Sequence, residues 1–184
     1  MNEVREDAHT SIGNASSQEE ELLDVVDHKD NVLGTATRGM IHQAGLFHRA
    51  VHIFLFNSSG EIYVQRRSEW KDRYPLKLDS SAAGHVDKGE SYLESAKREL
   101  MEELGIETEL TEILKIQGCP ETDNEHVVLY EAHSNIPPLA NKDEIAEGWF
   151  MRPSKLSQMV ETCRDDFVPA FTLLWKLFTE KPVS

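Results

Sequence analysis

The hydrophobic positions from residue 22 onwards fall into short runs that polar and glycine-containing turns separate. Runs rich in β-branched and aromatic residues predict strands, and apolar positions that recur every three or four residues predict helices. We expect strands at 24–26, 32–37, 51–56, 61–65, 113–116 and 125–132, helical turns at 38–43, and helices at 91–104, 154–163 and 168–178. This order of strands and helices predicts an α/β fold, with helical layers around a mixed sheet.

The helix at 91–104 carries the clearest pattern. Its apolar residues recur at helical spacing and predict one stripe: Leu93, Ala96, Leu100 and Leu104. Ser91, with Glu94 three residues later, resembles a capping box, and Gly105 is a suitable residue to end the helix.

Residues 1–20 differ from the rest of the chain because they contain few large apolar side chains and many polar and acidic ones. We expect them to form a disordered acidic leader. The chain has 184 residues and shows no internal repeat or interdomain linker. A single domain over residues 21–184 is therefore the expected organisation.

The charge balance excludes some classes of function. The chain has 19 Lys and Arg against 33 Asp and Glu, a formal net charge of −14, which argues against a nucleic-acid partner. Two cysteines are too few for a disulfide scaffold and suit a reducing compartment. No apolar run is long enough to cross a membrane, and the polar N-terminus is unlike a signal peptide. We therefore expect a cytoplasmic protein with no membrane partner.

The stretch GHVDKGESYLESAKRELMEELGI, residues 84–106, is the most informative part of the sequence. Glu99, Glu102 and Glu103 fall within an arc of ~100° on the predicted helix. Glu99 and Glu103 form a like-charge pair that destabilises an isolated helix by roughly a few tenths of a kcal/mol. A solvated acidic helix face is the simplest alternative. A cation bound over these carboxylates explains better than solvation why three glutamates share one face of the helix.

Mg²⁺ is the cation that carboxylate oxygens favour, with Mn²⁺ as a second option. Such an ion can activate a water molecule and offset charge that develops on a phosphoryl oxygen. Arg98 lies next to Glu99, and we expect it to orient a carboxylate such as Glu90. Gly84 and Gly89 would let the loop before the helix turn sharply.

The same stretch resembles the Nudix box, G-x5-E-x7-R-E-U-x-E-E-x-G-U with U apolar, and matches every fixed position. These positions are Gly84, Glu90, Arg98, Glu99, Leu100, Glu102, Glu103, Gly105 and Ile106. A chance match in a chain of this length has a probability on the order of 10⁻⁷. The resemblance implies a Nudix-type α/β/α sandwich and a hydrolase that cleaves a nucleoside diphosphate linked to another moiety.

The resemblance also implies roles for the box residues. Glu99 and Glu103 become the primary metal ligands, and Glu102 becomes a ligand or the general base. Glu90 supports them, and with Arg98 completes the predicted catalytic group.

Further ligands are implied outside the helix. The backbone carbonyl of Ala83, which precedes the box, is one. Many family members also use an acidic residue from a late loop, for which Glu144 and Glu147 are the candidates. Ordinary solvation of a loop explains those two carboxylates equally well.

From about residue 23 to 160 the chain resembles the Nudix subgroup around isopentenyl-diphosphate isomerase. The matching segments are Phe47-His48-Arg49-Ala50, Gln65-Arg66-Arg67 with the loop through Lys71 and Pro75, Gly84-His85, and Asp123-Asn124-Glu125. Through this resemblance we expect His48 and His85 to belong to the substrate site.

A local cluster of basic residues also points to a substrate site. It comprises Arg66, Arg67, Lys71 and Arg73. Arg66, Arg67 and Lys71 could clamp a diphosphate, because guanidinium and ammonium groups bind phosphate oxygens. A solvated hairpin end is the alternative for these residues.

Two departures from the isomerase matter. The isomerase has a catalytic Cys immediately before its Gly-His, where this chain has Ala83. The isomerase also usually lacks the full set of box carboxylates, which this chain retains. Proton shuttling without the thiol is implausible. We therefore predict metal-dependent hydrolysis of a small-molecule diphosphate, and keep an isomerase-like enzyme acting on prenyl diphosphates as the alternative.

The isomerase has a second metal site, whose counterpart here would use His48, His85, Asp123, Glu125 and an upstream histidine. His42 is the nearest candidate for that histidine, although its spacing to His48 is one residue short. The alternative is that these histidines are structural or solvent-exposed residues and bind no metal. A ligand-sensing Nudix domain without activity is a third hypothesis, and the family resemblance also allows a homodimer.

Overall fold

The computed structural model describes residues 20–181. Its elements are β1 (Leu22–Val26), β2 (Val32–Thr37), α1 (Arg38–Ala44), β3 (His48–Phe56), β4 (Ile62–Arg67), β5 (Leu78–Asp79), β6 (Ala82–His85), α2 (Tyr92–Leu104), β7 (Leu110–Ile116), β8 (Glu125–His133), β9 (Ile145–Met151), α3 (Pro153–Thr162) and α4 (Pro169–Thr179). Apart from the exposed Glu20, the predicted leader lies outside the described residues.

β3 lies at the centre of a mixed seven-stranded sheet with the order β5-β4-β3-β8-β7. β3 and β8 run parallel, whereas the other pairs in this sheet are antiparallel. β6 also pairs with β3, and β9 pairs with β4. β1 and β2 form a separate two-stranded sheet. The predicted α/β fold with a mixed sheet is confirmed.

The two faces of β3 belong to different parts of the core. Phe54 and Phe56 point to one face, where they pack with residues of α3 and α4 such as Phe171. Ile53 and Leu55 point to the opposite face and pack against α2. Since successive residues of a strand alternate between faces, a nearly continuous apolar run is what a central strand requires. Helices therefore cover both faces of the sheet.

α2 begins and ends as the sequence predicts. Ser91 and Glu94 form the capping box, and Gly105 ends the helix in the left-handed conformation with φ 63°. Ala96, Leu100 and Leu104 are buried, but Leu93 is 41% exposed. Leu93, in the first turn of α2, is therefore the one residue of the predicted apolar stripe that is not buried.

Three strands were not predicted: β5, β6 and β9. β6 has four residues, three of them small, and so lacks a strand pattern. β9 contains an apolar run at 149–151, but Glu147 and Gly148 interrupt its pattern. Within residues 20–181, none of the helices combines the length and apolar composition that crossing a bilayer requires.

Candidate metal and diphosphate site

Several strands of the large sheet begin or end at the same end of the sheet, and a cleft opens there. The parallel register of β3 and β8 sets His48 beside Glu125, and the antiparallel register of β3 and β6 sets Ala50 beside His85. β4 ends and β9 begins there too. The cleft has a volume of about 260 Å³, and α2 forms one of its walls.

Two carboxylates of α2 face the cleft from the protein interior. Glu99 is 9% exposed and Glu103 is 4% exposed. Burial raises the pKa of Glu99, and burial together with the charge of Glu99 raises the pKa of Glu103 to about 8. Gln65 donates a hydrogen bond to Glu103 at 2.8 Å. The pair is therefore held in place in surroundings that favour a bound cation.

The Glu99 carboxylate lies directly against the backbone of β6. A methyl group at Gly84 would overlap with that carboxylate, so only glycine allows this approach. Ala83, the preceding residue, also lines the cleft. The predicted carboxylate and backbone ligands thus lie on one wall, and this donor set of hard oxygen atoms fits a divalent cation such as Mg²⁺ or Mn²⁺.

Arg98 organises the acidic residues around this wall. Its guanidinium donates to Glu90 at 3.0 Å, to Glu99 at 2.6 Å and to the carbonyl of His85 at 3.1 Å. Glu102 lies 3.4 Å from the same guanidinium, and its side chain is 57% exposed at the cleft. Glu102 is thus the box carboxylate that bulk water reaches most readily.

The loop before β9 delivers a further carboxylate, that of Glu144, which is ion-paired with Lys71 at the cleft. The loop is tied to the end of α2, because the Leu139 amide donates to the Leu104 carbonyl and the Asn141 amide donates to the Glu103 carbonyl, both at 2.9 Å. Glu147, the other candidate from this region, does not line the cleft.

A second group of potential ligands comprises His42, His48, His85 and Glu125, whose ligand atoms all lie within 4.8 Å of one another. We call it the histidine cluster. Nδ1 of His48 donates to the Leu46 carbonyl at 3.0 Å, so Nε2 of the neutral ring carries no proton. That Nε2 is buried without a hydrogen-bond partner. An unprotonated, unpartnered ring nitrogen fits a metal ligand.

The histidine cluster has one carboxylate, that of Glu125, among three imidazole rings. Although burial opposes it, contacts with His48 and His85 hold the pKa of Glu125 well below its ordinary value. Burial and the neighbouring histidines lower the pKa of His42 to about 3. Asp123 does not join the cluster, since its carboxylate is paired with Arg73 at 2.7 Å.

Four basic side chains from outside α2 also line the cleft. They are Arg38, Arg67, Lys71 and Arg73. Arg67 is held by Asp79 at 3.1 Å and Arg38 by Asp72 at 2.8 Å. Arg38 was missed by sequence reasoning, because a single arginine at the start of a short helix carries no distinguishing pattern.

Two residues that were predicted to bind substrate lie elsewhere. Arg66 does not line the cleft: it pairs with Glu147 at 2.7 Å on the outer surface, beside the Trp149 ring. His48 is fully buried and can reach a metal but not a substrate. His85 does line the cleft.

The fold and this cleft define a class of protein: an α/β domain whose central helix presents buried carboxylates to a cleft that arginine and lysine side chains also line. Residues 46–171 match the family described as NUDIX domain. The chain belongs to the Nudix hydrolases, an enzyme class that acts on diphosphate-linked compounds.

Individual relatives agree with this assignment. A Yersinia pestis protein named as an uncharacterized Nudix hydrolase is 36% identical over 154 residues, covering 83% of this chain and 85% of the relative. The crystal structure of DR0079 from Deinococcus radiodurans superimposes with a TM-score of 0.76 at 29% identity, covering 86% and 99% of the two chains. An isopentenyl-diphosphate Delta-isomerase from Serratia proteamaculans is 39% identical over 94 residues, covering 51% of this chain and 52% of that protein.

Proposed function

We propose that this Nudix hydrolase cleaves the phosphoanhydride bond of a small-molecule diphosphate, with a divalent cation held by Glu99 and Glu103. The observation that carries the proposal is this pair of buried, like-charged carboxylates facing a cleft that Arg38, Arg67 and Lys71 also line. A cation bound there supplies charge neutralisation at a phosphoryl oxygen and lowers the pKa of water.

The chain's own residues have separate roles in this proposal. Arg98 keeps Glu99 and Glu90 in place, and the backbone carbonyl of Ala83 and the carboxylate of Glu144 complete the ligand set. Glu102, the exposed box carboxylate, accepts the proton of the attacking water. Its proximity to bulk solvent lets that proton leave.

The basic residues Arg67, Lys71 and Arg38 bind the diphosphate itself. Each is placed by an acidic partner, so the cationic groups are positioned before substrate arrives. Charge-assisted hydrogen bonds to phosphate oxygens are the strong contacts expected here.

A substrate panel tests the proposal. Nucleoside diphosphate derivatives, sugar nucleotides and prenyl diphosphates are incubated with the protein and Mg²⁺ or Mn²⁺, and phosphate or monophosphate release is measured. We expect metal-dependent cleavage of at least one class. If no class is cleaved with either metal, the proposal fails and a ligand-sensing domain becomes the better assignment.

The second candidate is an isomerase-like activity on prenyl diphosphates, which the histidine cluster and the partial isomerase relative favour. Ala83 provides no thiol at the position where the resemblance calls for one. Incubation with isopentenyl diphosphate separates the two functions, because isomerisation yields the dimethylallyl isomer and hydrolysis releases phosphate.

We also propose that the histidine cluster binds its own divalent cation, separate from that of the α2 carboxylates. The unpartnered Nε2 of His48 and the anionic Glu125 support this. Imidazole nitrogen with one carboxylate is a donor set that transition-metal ions and Zn²⁺ accept readily.

A further inference from the structure

Glu21 lines the cleft although it precedes the segment that matches the family, residues 46–171. Its position is fixed by backbone hydrogen bonds on both sides. The Glu21 carbonyl accepts from the Arg38 amide at 2.8 Å, and the Lys88 amide donates to the Leu22 carbonyl at 2.9 Å. β1 is therefore joined to the loop that leads into α2, and Glu21 is held at the rim of the site.

The two ring nitrogens of His85 face different carboxylates. Nε2 lies 3.3 Å from Oε1 of Glu125, inside the histidine cluster, and Nδ1 lies 3.9 Å from Oε2 of Glu21. The two ring nitrogens of His48 also face different groups: its Nε2 faces the cluster, and its Nδ1 donates to a backbone carbonyl. A metal-binding histidine commonly donates its other N–H to a carboxylate or carbonyl, which fixes both the tautomer and the ring orientation.

We propose that Glu21 is a positioning residue of the histidine cluster: its carboxylate, 3.9 Å from Nδ1 of His85, attracts the Nδ1–H of that ring and keeps Nε2 directed at the bound cation. The inference rests on the cation site proposed for that cluster. It makes the N-terminal β1 strand part of the metal site, although β1 lies outside the family match.

Glu21 has a second acidic neighbour, Asp87, and burial together with Asp87 raises the pKa of Glu21 to about 7.

Zn²⁺ binding tests the inference. The metal-free protein is titrated with Zn²⁺, which imidazole ligands favour, in excess Mg²⁺ that occupies the carboxylate site. Glu21→Gln is compared with Glu20→Gln, an equal change of charge at the exposed neighbour. We expect Zn²⁺ affinity to fall about 10- to 100-fold in Glu21→Gln and to stay unchanged in Glu20→Gln.

The outcomes separate this inference from the proposed cation site. If wild type binds Zn²⁺ and Glu21→Gln binds it equally well, the positioning role is wrong and the cation site stands. If wild type binds no Zn²⁺, both are wrong. Neither outcome depends on hydrolysis, so the proposed activity is judged by the substrate panel alone.

Histidine NMR of the wild type gives a second measurement that does not require a stable variant. In the Zn²⁺-loaded, ¹⁵N-histidine-labelled protein, we expect His85 to carry its proton on Nδ1 with Nε2 bound to the metal, as for His48. A His85 ring that is protonated on Nε2 would overturn the role of Glu21, because no Nδ1–H would then be available.

Discussion

The α2 carboxylates and the histidine cluster occupy the same cleft edge but are assembled in different ways. Glu99 and Glu103 are one helical turn apart on a single helix. His42, His48, His85 and Glu125 come from α1, β3, β6 and β8. The helix fixes its carboxylates by its period alone, whereas the cluster requires the parallel register of β3 and β8 and the antiparallel register of β3 and β6. The local sequence pattern is therefore sufficient to predict the α2 carboxylate pair, but it is not sufficient to predict the histidine cluster.

The two groups also differ in charge. The α2 pair concentrates negative charge in a buried place, and the pKa of Glu103 rises to about 8. The histidine cluster has one carboxylate among three imidazole rings, and the pKa of His42 falls to about 3. Without a cation, the contributions of the two groups to stability should therefore depend on pH in opposite directions. The following predictions test how the two groups differ.

The largest expected effect comes from the α2 carboxylates. Glu99→Gln or Glu103→Gln should lower kcat about 10²- to 10³-fold, because the amide keeps the shape but removes the charge that holds the cation. The fold should persist by circular dichroism. Glu109→Gln, an exposed site after α2, is the control and should leave kcat unchanged. Full metal-dependent turnover in both variants would exclude the proposed site.

Gly84→Ala should have the next largest effect. The added methyl group meets the Glu99 carboxylate, so we expect a loss of about 1–3 kcal/mol in the free energy of unfolding by urea, together with weaker activity. Gly34→Ala is the matched control, since no atom lies within 4 Å of the position that its methyl group would take. Equal stability of the two variants would show that the close approach of Glu99 to β6 is unimportant.

Lys71→Met tests which basic residues meet the substrate. Removal of one charge-assisted phosphate contact should raise KM about tenfold with a smaller change in kcat. Arg66→Met removes a cation of the same segment that lies outside the cleft, and should leave KM unchanged. Steady-state kinetics on a substrate from the panel measures both. A comparable rise in KM for Arg66→Met would show that Arg66 also binds the diphosphate.

The smallest effect is on the pH dependence of stability without metal. The folded pKa of Glu103 is raised from 4.5 to about 8, so its contribution to stability is present below pH 4.5 and is lost as pH rises towards 8. The folded pKa of His42 is depressed from 6.5 to about 3, so stability is lost as pH falls from 6.5 towards 3.

Variants separate these opposite contributions. Relative to wild type, Glu103→Gln should gain more stability at pH 7 than at pH 5, and His42→Asn should gain more at pH 5 than at pH 7. Urea unfolding in the presence of a chelator measures both differences. Identical pH profiles for the two variants would contradict the electrostatic contrast between the α2 carboxylates and the histidine cluster.

The sequence predicted the parts of the molecule that local pattern determines. The caps of α2 and the central strand β3 follow from capping residues and from a continuous apolar run. Arg66 shows a limit. The predicted strand ended at residue 65, but β4 continues to Arg67. Neighbouring residues of a strand point to opposite faces, and this is why Arg67 reaches the cleft and Arg66 does not.

Other parts of the site had no local signal. Glu21 and Arg38 reach the cleft because β1, β2 and α1 are joined to the domain by backbone hydrogen bonds and paired side chains, which composition does not reveal. β6 lacks a strand pattern because it is short and made mostly of small residues, with Gly84 where an α2 carboxylate approaches closely. In β9 the pattern is interrupted at Gly148, where the Tyr63 side chain approaches closely.

The loop between β8 and β9 has an unusual constraint on its length. Surface loops commonly accept inserted residues at little cost in free energy. Here the amides of Leu139 and Asn141 bind the final carbonyls of α2, one of them that of Glu103 itself. An insertion just after Asn141 would break the bonds from the amides of Glu144 and Ile145 to the Asn141 carbonyl, and one between Leu139 and Asn141 would strain the end of the helix. Engineering of this loop should therefore begin nearer to β8, at residues 136–138.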